Sequence, residues 1–251
     1  MLQEPDISTP FDLLRRDIVN GVFAPGHPLR LSALSARYNV SATPLREALS
    51  RLEEKRLVVA SRNRGWRVAP VSLDQLEDIA AARLALERAL LQDSMGQGGL
   101  DWESAIVAAH HRLVQTPPPD GERQSQARAA WGAAHDAFHL ALLAAARSER
   151  LRGFWTETIE QLQRYHDALL YHPDTLGAAF AVPAAEAMPL LLEKVHSARH
   201  HTLLKEAVLA RDMPQALGLL DEHVAHTLEV YRSIAGDSQG TDNPNREETT
   251  R

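Results

Sequence analysis

The chain has 251 residues, with 27 Lys and Arg against 33 Asp and Glu, a net charge of −6. It contains no cysteine, which excludes disulfides and thiolate metal sites and fits a reducing compartment. No apolar run approaches the ~20 residues of a membrane span, and the first residues lack a signal-peptide pattern, so a cytoplasmic protein with no membrane partner, built of one small and one mid-sized domain, is expected. The charge is unevenly divided. Residues 1–70 hold 11 Lys and Arg against 7 Asp and Glu, a balance of +4; the remainder holds 16 against 26, a balance of −10. A basic head on an acidic body is the asymmetry of a DNA-binding domain fused to something else.

In chain order, residues 1–9 read as a flexible N-terminus. Phe11, Leu14 and Ile18 mark a first helix that ends at Gly21, and Phe23 to Gly26 form a turn. Leu31 and Leu34 belong to a short second helix, and Asn39 suits a left-handed turn before Ser41. Ser41 is placed to cap the third helix with its hydroxyl, and Pro44 sits in the first turn, where a missing N–H costs little. Leu45, Ala48, Leu49 and Leu52 form its apolar stripe, while Thr43, Arg46 and Ser50 share the opposite, polar and basic side. Two short apolar stretches follow, Leu57–Ala60 and Trp66–Ala69, joined by Arg62, Asn63, Arg64 and Gly65 as a basic hairpin tip. Three helices and a basic hairpin describe a winged helix-turn-helix over residues 10–70, whose third helix enters the major groove of double-stranded operator DNA and whose wing touches backbone or minor groove. A single unit reads few base pairs, so a homodimer is expected.

The residues Ile18, Gly21, Pro25, Gly26, Leu29 and Leu34, the run from Val40 to Leu49, then Leu52, Glu53 and Gly65 resemble the amino-terminal domain of GntR-family bacterial transcription regulators. The resemblance implies DNA contact by Arg46, with Ser41 and Thr43 on phosphates. The family usually has Arg after the capping Ser, often reading a base edge; here that position is Ala42, which implies a different operator. Ser50, Arg62, Arg64 and Gly65 complete the candidate DNA-binding set.

Val68 to Val71 is the expected junction. Beyond it, helical periodicity recurs through 73–94, 101–115, 123–146, 148–171, 184–210 and 213–234, with Gly- or Pro-rich breaks between. Asp212 is a candidate N-cap with Pro214 behind it. The whole is therefore mainly α, a winged helix-turn-helix followed by an all-α helical-bundle domain over 72–235. Residues 236–251 are polar, have no apolar stripe and read as a disordered tail.

The second domain holds 11 of the 12 histidines. His135 and His139 are four apart, hence on one helical face; His201 and His223 sit on two later helices. Imidazoles pointing inward from several helices are how bundles build metal sites, although spacing alone fits ordinary structural histidines equally well. Residues 83–87 and 138–151, with His201, Ala207, Val208, Asp212, Ala216 and His223, resemble the FCD effector domain of the FadR branch of the same family. Many FCD domains hold a divalent metal with one Asp and three His, which implies His139, His201 and His223 as ligands here. The Asp position, four residues before the first His, is His135 in this chain, with Asp136 one step along; His135 is the favoured fourth ligand and Asp136 the alternate. Four histidines favour zinc or nickel over manganese. The resemblance also implies that Arg83 holds the carboxylate of a small effector acid through its guanidinium fork; the plain alternative is an ion pair with Glu87 at i+4. Arg164, Tyr165 and His166 have only helical placement to suggest that they line a cavity. Trp131, Phe138, Phe154 and Trp155 read as core.

Three function classes fit these residues: a metal-containing, ligand-responsive transcription regulator, expected to repress; a metal-dependent hydrolase; and a DNA-binding protein with a purely structural metal. A hydrolase leaves the basic head without a purpose, and the chain has no His-Glu-x-x-His. The regulator, not an enzyme, uses both domains.

Overall fold

The computed structural model describes residues 9–61, 65–119, 126–171 and 196–235. Residues 1–8 of the expected flexible start, wing arginines Arg62 and Arg64, residues 123–125 of the expected third body helix, residues 184–195 of the fifth and the polar tail lie outside them, whereas Thr9, expected to be flexible, caps the first helix.

Helix α1 (Pro10–Val19) starts from a capping box: the Thr9 hydroxyl accepts from the Asp12 amide, and the Asp12 carboxylate accepts from the Thr9 amide. Helix α2 (Leu31–Tyr38) ends at Asn39, which adopts the left-handed conformation at φ 54°. Helix α3 (Ala42–Glu54) follows. Its stripe of Leu45, Ala48, Leu49 and Leu52 is buried with Leu14, Ile18 and Leu34 in one small core. Ser41 stands at the N-cap in extended conformation, but its side chain makes no capping bond, contrary to the expectation from its hydroxyl. Strands β1 (Pro28–Leu29), β2 (Val58–Ser61) and β3 (Gly65–Val68) form an antiparallel sheet in the order β1-β3-β2, with Val58 opposite Val68 and Pro28 opposite Arg67. Two residues carry no periodicity, so β1 had no sequence signal.

The body comprises α4 (Leu73–Gln97), α5 (Leu100–Gln115), α6 (Gln126–Leu143), α7 (Glu149–Tyr171), α8 (Ala198–Leu209) and α9 (Met213–Ala235). Leu90, Ile106, Phe138, Leu142, Trp155, Leu204, Val208 and Leu220 fill its main core. The expected end of α4 at residue 94 is early: the helix continues through Gly96, and the chain turns at Gly98, where an added Cβ would lie 2.2 Å from the Trp102 ring. Helix α6 stops three residues short of the expected 146, because the Ala144 and Ala146 amides turn back to the Ala141 and Leu143 carbonyls. The Asp212 carboxylate accepts from the Gln215 amide at 3.1 Å and caps α9. Trp131, Phe138 and Trp155 are buried, but Phe154 is 49% exposed, a correction to the core assignment: α7 turns its neighbour Trp155 inward, and adjacent helical residues point about 100° apart.

The basic head rests on the acidic side of α7. Arg15 of α1 pairs with Glu160 at 2.5 Å, and Lys55, after α3, pairs with Glu157 at 3.2 Å. Arg164 donates into the Ala69 carbonyl and, at 3.2 Å, the Pro70 carbonyl, so α7 also clasps the junction. These contacts give the charge asymmetry a structural use besides DNA.

Candidate functional site

On α3 the buried stripe leaves Ser41, Thr43, Arg46 and Ser50 exposed together. The first amides of α3, uncapped by Ser41, are orphan donors at the positive end of a helix dipole. The wing is fixed to this helix by Glu53, whose carboxylate accepts from Trp66 Nε1 at 3.0 Å and from the Ala60 amide at 3.2 Å. Gly65 opens β3 at φ 77°, a conformation that costs an L-residue strain. Asp17 braces α1 against α2 by accepting from Arg37 and from the Tyr38 hydroxyl at 2.7 Å.

The second constellation lies inside the body. His135 and His139 of α6, His201 of α8 and His223 of α9 come together with one ligand nitrogen each, all within 4.8 Å of one another. Ring centroids are 4.6 Å apart for His135 and His139, 4.9 Å for His201 and His223, and 5.0 Å for His139 and His223. Burial holds His139, His201 and His223 well below the usual imidazole range, with neighbouring histidines as the next cause: His135 for the first two, His201 for the third. These rings are therefore neutral, the form that ligates metal. The His201 Nδ1–H donates to the Ser197 carbonyl at 2.9 Å, which fixes the tautomer and turns the Nε2 lone pair inward. His139 Nδ1 lies 3.5 Å from Glu87 Oε1, with the same consequence. Both Nε2 atoms are buried without a hydrogen-bond partner. Two orphaned acceptors aimed into a histidine cluster suit a divalent cation. Asp136 is not one of the four; its carboxylate lies 3.3 Å from His135 Nδ1.

Arg83 of α4 forms the ion pair with Glu87 and also lines a cavity. Its Nε donates to Glu87 Oε1 at 3.0 Å, but the pair is buried, and Nη2 has no partner. The guanidinium also stands in the wall of a cavity of about 400 Å³ shared with His135, His223, His166, Arg128 and Asp167. His166 thus lines the cavity, while Arg164 clasps the junction and the Tyr165 hydroxyl donates to Gln75. Burial lifts the Asp167 carboxyl to about 7, with the Arg128 guanidinium opposing. Sequence reasoning missed Arg128, Asp167 and the ring-orienting use of Glu87. Arg128 and Asp167 are 39 residues apart on two helices, beyond any local spacing rule.

Both domains match known protein families. Residues 10–68 match the profile of bacterial regulatory proteins of the gntR family, and residues 78–182 match the FCD domain, a domain type that often binds metal. The chain is 33% identical over 228 residues to the uncharacterized HTH-type transcriptional regulator BphR of Paraburkholderia xenovorans, covering 91% of this chain and 86% of that one. It is 33% identical over 224 residues to the HTH-type transcriptional repressor GlaR of Escherichia coli, covering 89% and 94%. Escherichia coli McbR/YncC shares the fold, with a TM-score of 0.64 at 20% identity over 88% of this chain and 94% of that one. These are transcriptional regulators, not enzymes, and no helix among the described residues is long and apolar enough to cross a membrane. A GntR-type winged helix joined to an FCD domain, matched over nine-tenths of its length, makes this chain a member of the GntR family of bacterial transcriptional regulators.

Proposed function

We propose that the protein is a metal-containing, ligand-responsive repressor that binds operator DNA as a homodimer and is released by a small organic acid. The observation that carries this reading is the meeting of the histidine cluster with the cavity: His135 and His223, two of the four clustered imidazoles, and Arg83, whose Nη2 has no hydrogen-bond partner, border the same space. His135, His139, His201 and His223 would hold the cation, and an all-nitrogen set suits zinc or nickel. A metal held there would supply a Lewis-acidic anchor for a carboxylate. Arg83 offers the second anchor, a charge-assisted donor in a water-poor site. Glu87 orients His139 and balances the Arg83 charge.

Arg46 would read a base edge from α3, Ser41 and Thr43 would contact phosphate with the uncapped amides, and Ser50 would extend the same face. Arg62 and Arg64 would add phosphate contacts beside Gly65. The repressor sense is supported by the relative GlaR, an HTH-type transcriptional repressor.

Three measurements on the full chain test the reading. Arg46→Ala should weaken operator binding by roughly 1–3 kcal/mol in gel-shift titration at fixed salt. His201→Ala should purify with sharply reduced metal by elemental analysis. A thermal-shift screen of small carboxylates should give hits that vanish on chelation. Hits that survive chelation would leave the metal as a structural element only, and full metal occupancy in His201→Ala would remove the site.

A further inference from the structure

The cavity reaches the seam between the domains. Asn20 and Val22, just past α1 in the DNA-binding domain, stand in its wall beside Arg128 of α6 and Asp167 of α7. Arg128 Nη1 donates to the Asp167 carboxylate, and Arg128 Nη2 donates to the Asn20 carbonyl at 3.2 Å. That carbonyl belongs to the C-cap of α1, the helix that packs against α3 and bears Arg15. Among the described residues, the head-to-body ion pairs of Arg15 with Glu160 and Lys55 with Glu157 involve no residue of the cavity wall. One guanidinium in that wall therefore joins the ligand space to the head.

We propose that Arg128 is the residue through which an acid in the cavity is sensed by the DNA-binding domain. This rests on the effector-site reading above and adds its route to the head. A guanidinium bonds a carboxylate more strongly than a neutral carbonyl, because opposite charges then add to the hydrogen bond. An anion in the cavity meets Arg128 with a charged acceptor engaged at Asp167 and a neutral one at Asn20. It displaces the neutral one. Arg128 then turns its second fork into the cavity, and the C-cap of α1 loses its tie to α6. The ligand gains a contact in one domain arrangement that it lacks in the other, the differential affinity that any ligand-driven shift requires.

The test is hydrogen–deuterium exchange on full-length, metal-loaded protein, with acetate as the probe anion. In wild type, saturating acetate should raise exchange across residues 16–22 several-fold. Arg128→Met should show the raised exchange without acetate, no further rise with it, and wild-type metal content. Exchange at residues 16–22 unmoved by Arg128→Met overturns the proposal, and so does an equal acetate response in wild type and variant. Should Arg128→Met fail to fold, Arg128→Lys replaces it, with an intermediate exchange level expected because one point donor cannot serve two acceptors. An acetate-induced thermal shift without change at residues 16–22 overturns the route and leaves the effector site standing. No thermal shift in metal-loaded protein removes the effector site itself.

Discussion

Glu87 Oε1 lies 3.5 Å from His139 Nδ1, and the same oxygen accepts from Arg83 Nε and from Trp155 Nε1 at 2.8 Å. One buried carboxylate thus orients a ring of the histidine cluster and sets the position of the cavity arginine. Glu87→Gln keeps the volume and removes the charge. Metal affinity, measured by competition with a chelator, should fall about 10–100-fold, the usual cost of losing a partner behind a ligating histidine. Wild-type affinity in that variant would mean that packing alone orients His139.

Acid should destabilise the metal-free protein through the same cluster. The folded-state pKa values of His139, His201 and His223 are depressed, with burial the first cause. Above the ordinary value of about 6.5 both folded and unfolded chains hold these rings neutral, and stability does not depend on them. Below it the unfolded chain takes up protons that the folded chain refuses, so stability falls as pH falls. Each site steepens the loss by up to about 1.4 kcal/mol per pH unit. Denaturant titrations between about pH 7.5 and pH 5.5 should show this slope, and His223→Asn should flatten it. An unchanged slope would mean that the cluster opens to water before unfolding.

The wing depends on Glu53. Removing its carboxylate strands the Trp66 indole N–H and the Ala60 amide. Glu53→Ala should cost the head about 1–2 kcal/mol and shift Trp66 fluorescence. Operator affinity should drop although Glu53 itself touches no DNA. A stable head with unaltered emission would show that the hairpin needs no tether.

Arg164 guards the junction. Burial pulls its guanidinium pKa down, and it satisfies that buried charge on the Ala69 and Pro70 carbonyls. Arg164→Met should leave the helical body folded but free residues 69–71, so limited proteolysis there should accelerate severalfold over wild type. Equal cleavage rates would assign the junction's order to the Arg15 and Lys55 ion pairs instead.

Much of the architecture was readable from local pattern. The stripe of Leu45, Ala48, Leu49 and Leu52 fixes both the α3 helix and the side it buries, because a 3.6-residue period leaves only one face for Arg46 and Thr43. Asn39 and Asp212 mark helix ends through their own side-chain and backbone chemistry. His135 and His139 share a face for the same periodic reason.

Where local chemistry competed with longer-range packing, the sequence misled. Ser41 has the right side chain for a cap and leaves it unused, Phe154 is aromatic yet exposed, and α6 ends early among alanines that favour helix.

Local pattern located the helical segments, though not all their ends, the polar face of α3, and the histidines available as ligands. Long-range packing brings His201 and His223 to His135 and His139, puts Glu87 behind His139, and links Asp167 to Asn20 through Arg128. The reason is the range of the forces. Helix periodicity and capping act within about one turn of chain. Burial brings distant residues together through the shape of the whole core, and it alone removes the water that would keep those imidazoles protonatable and those ion pairs weak.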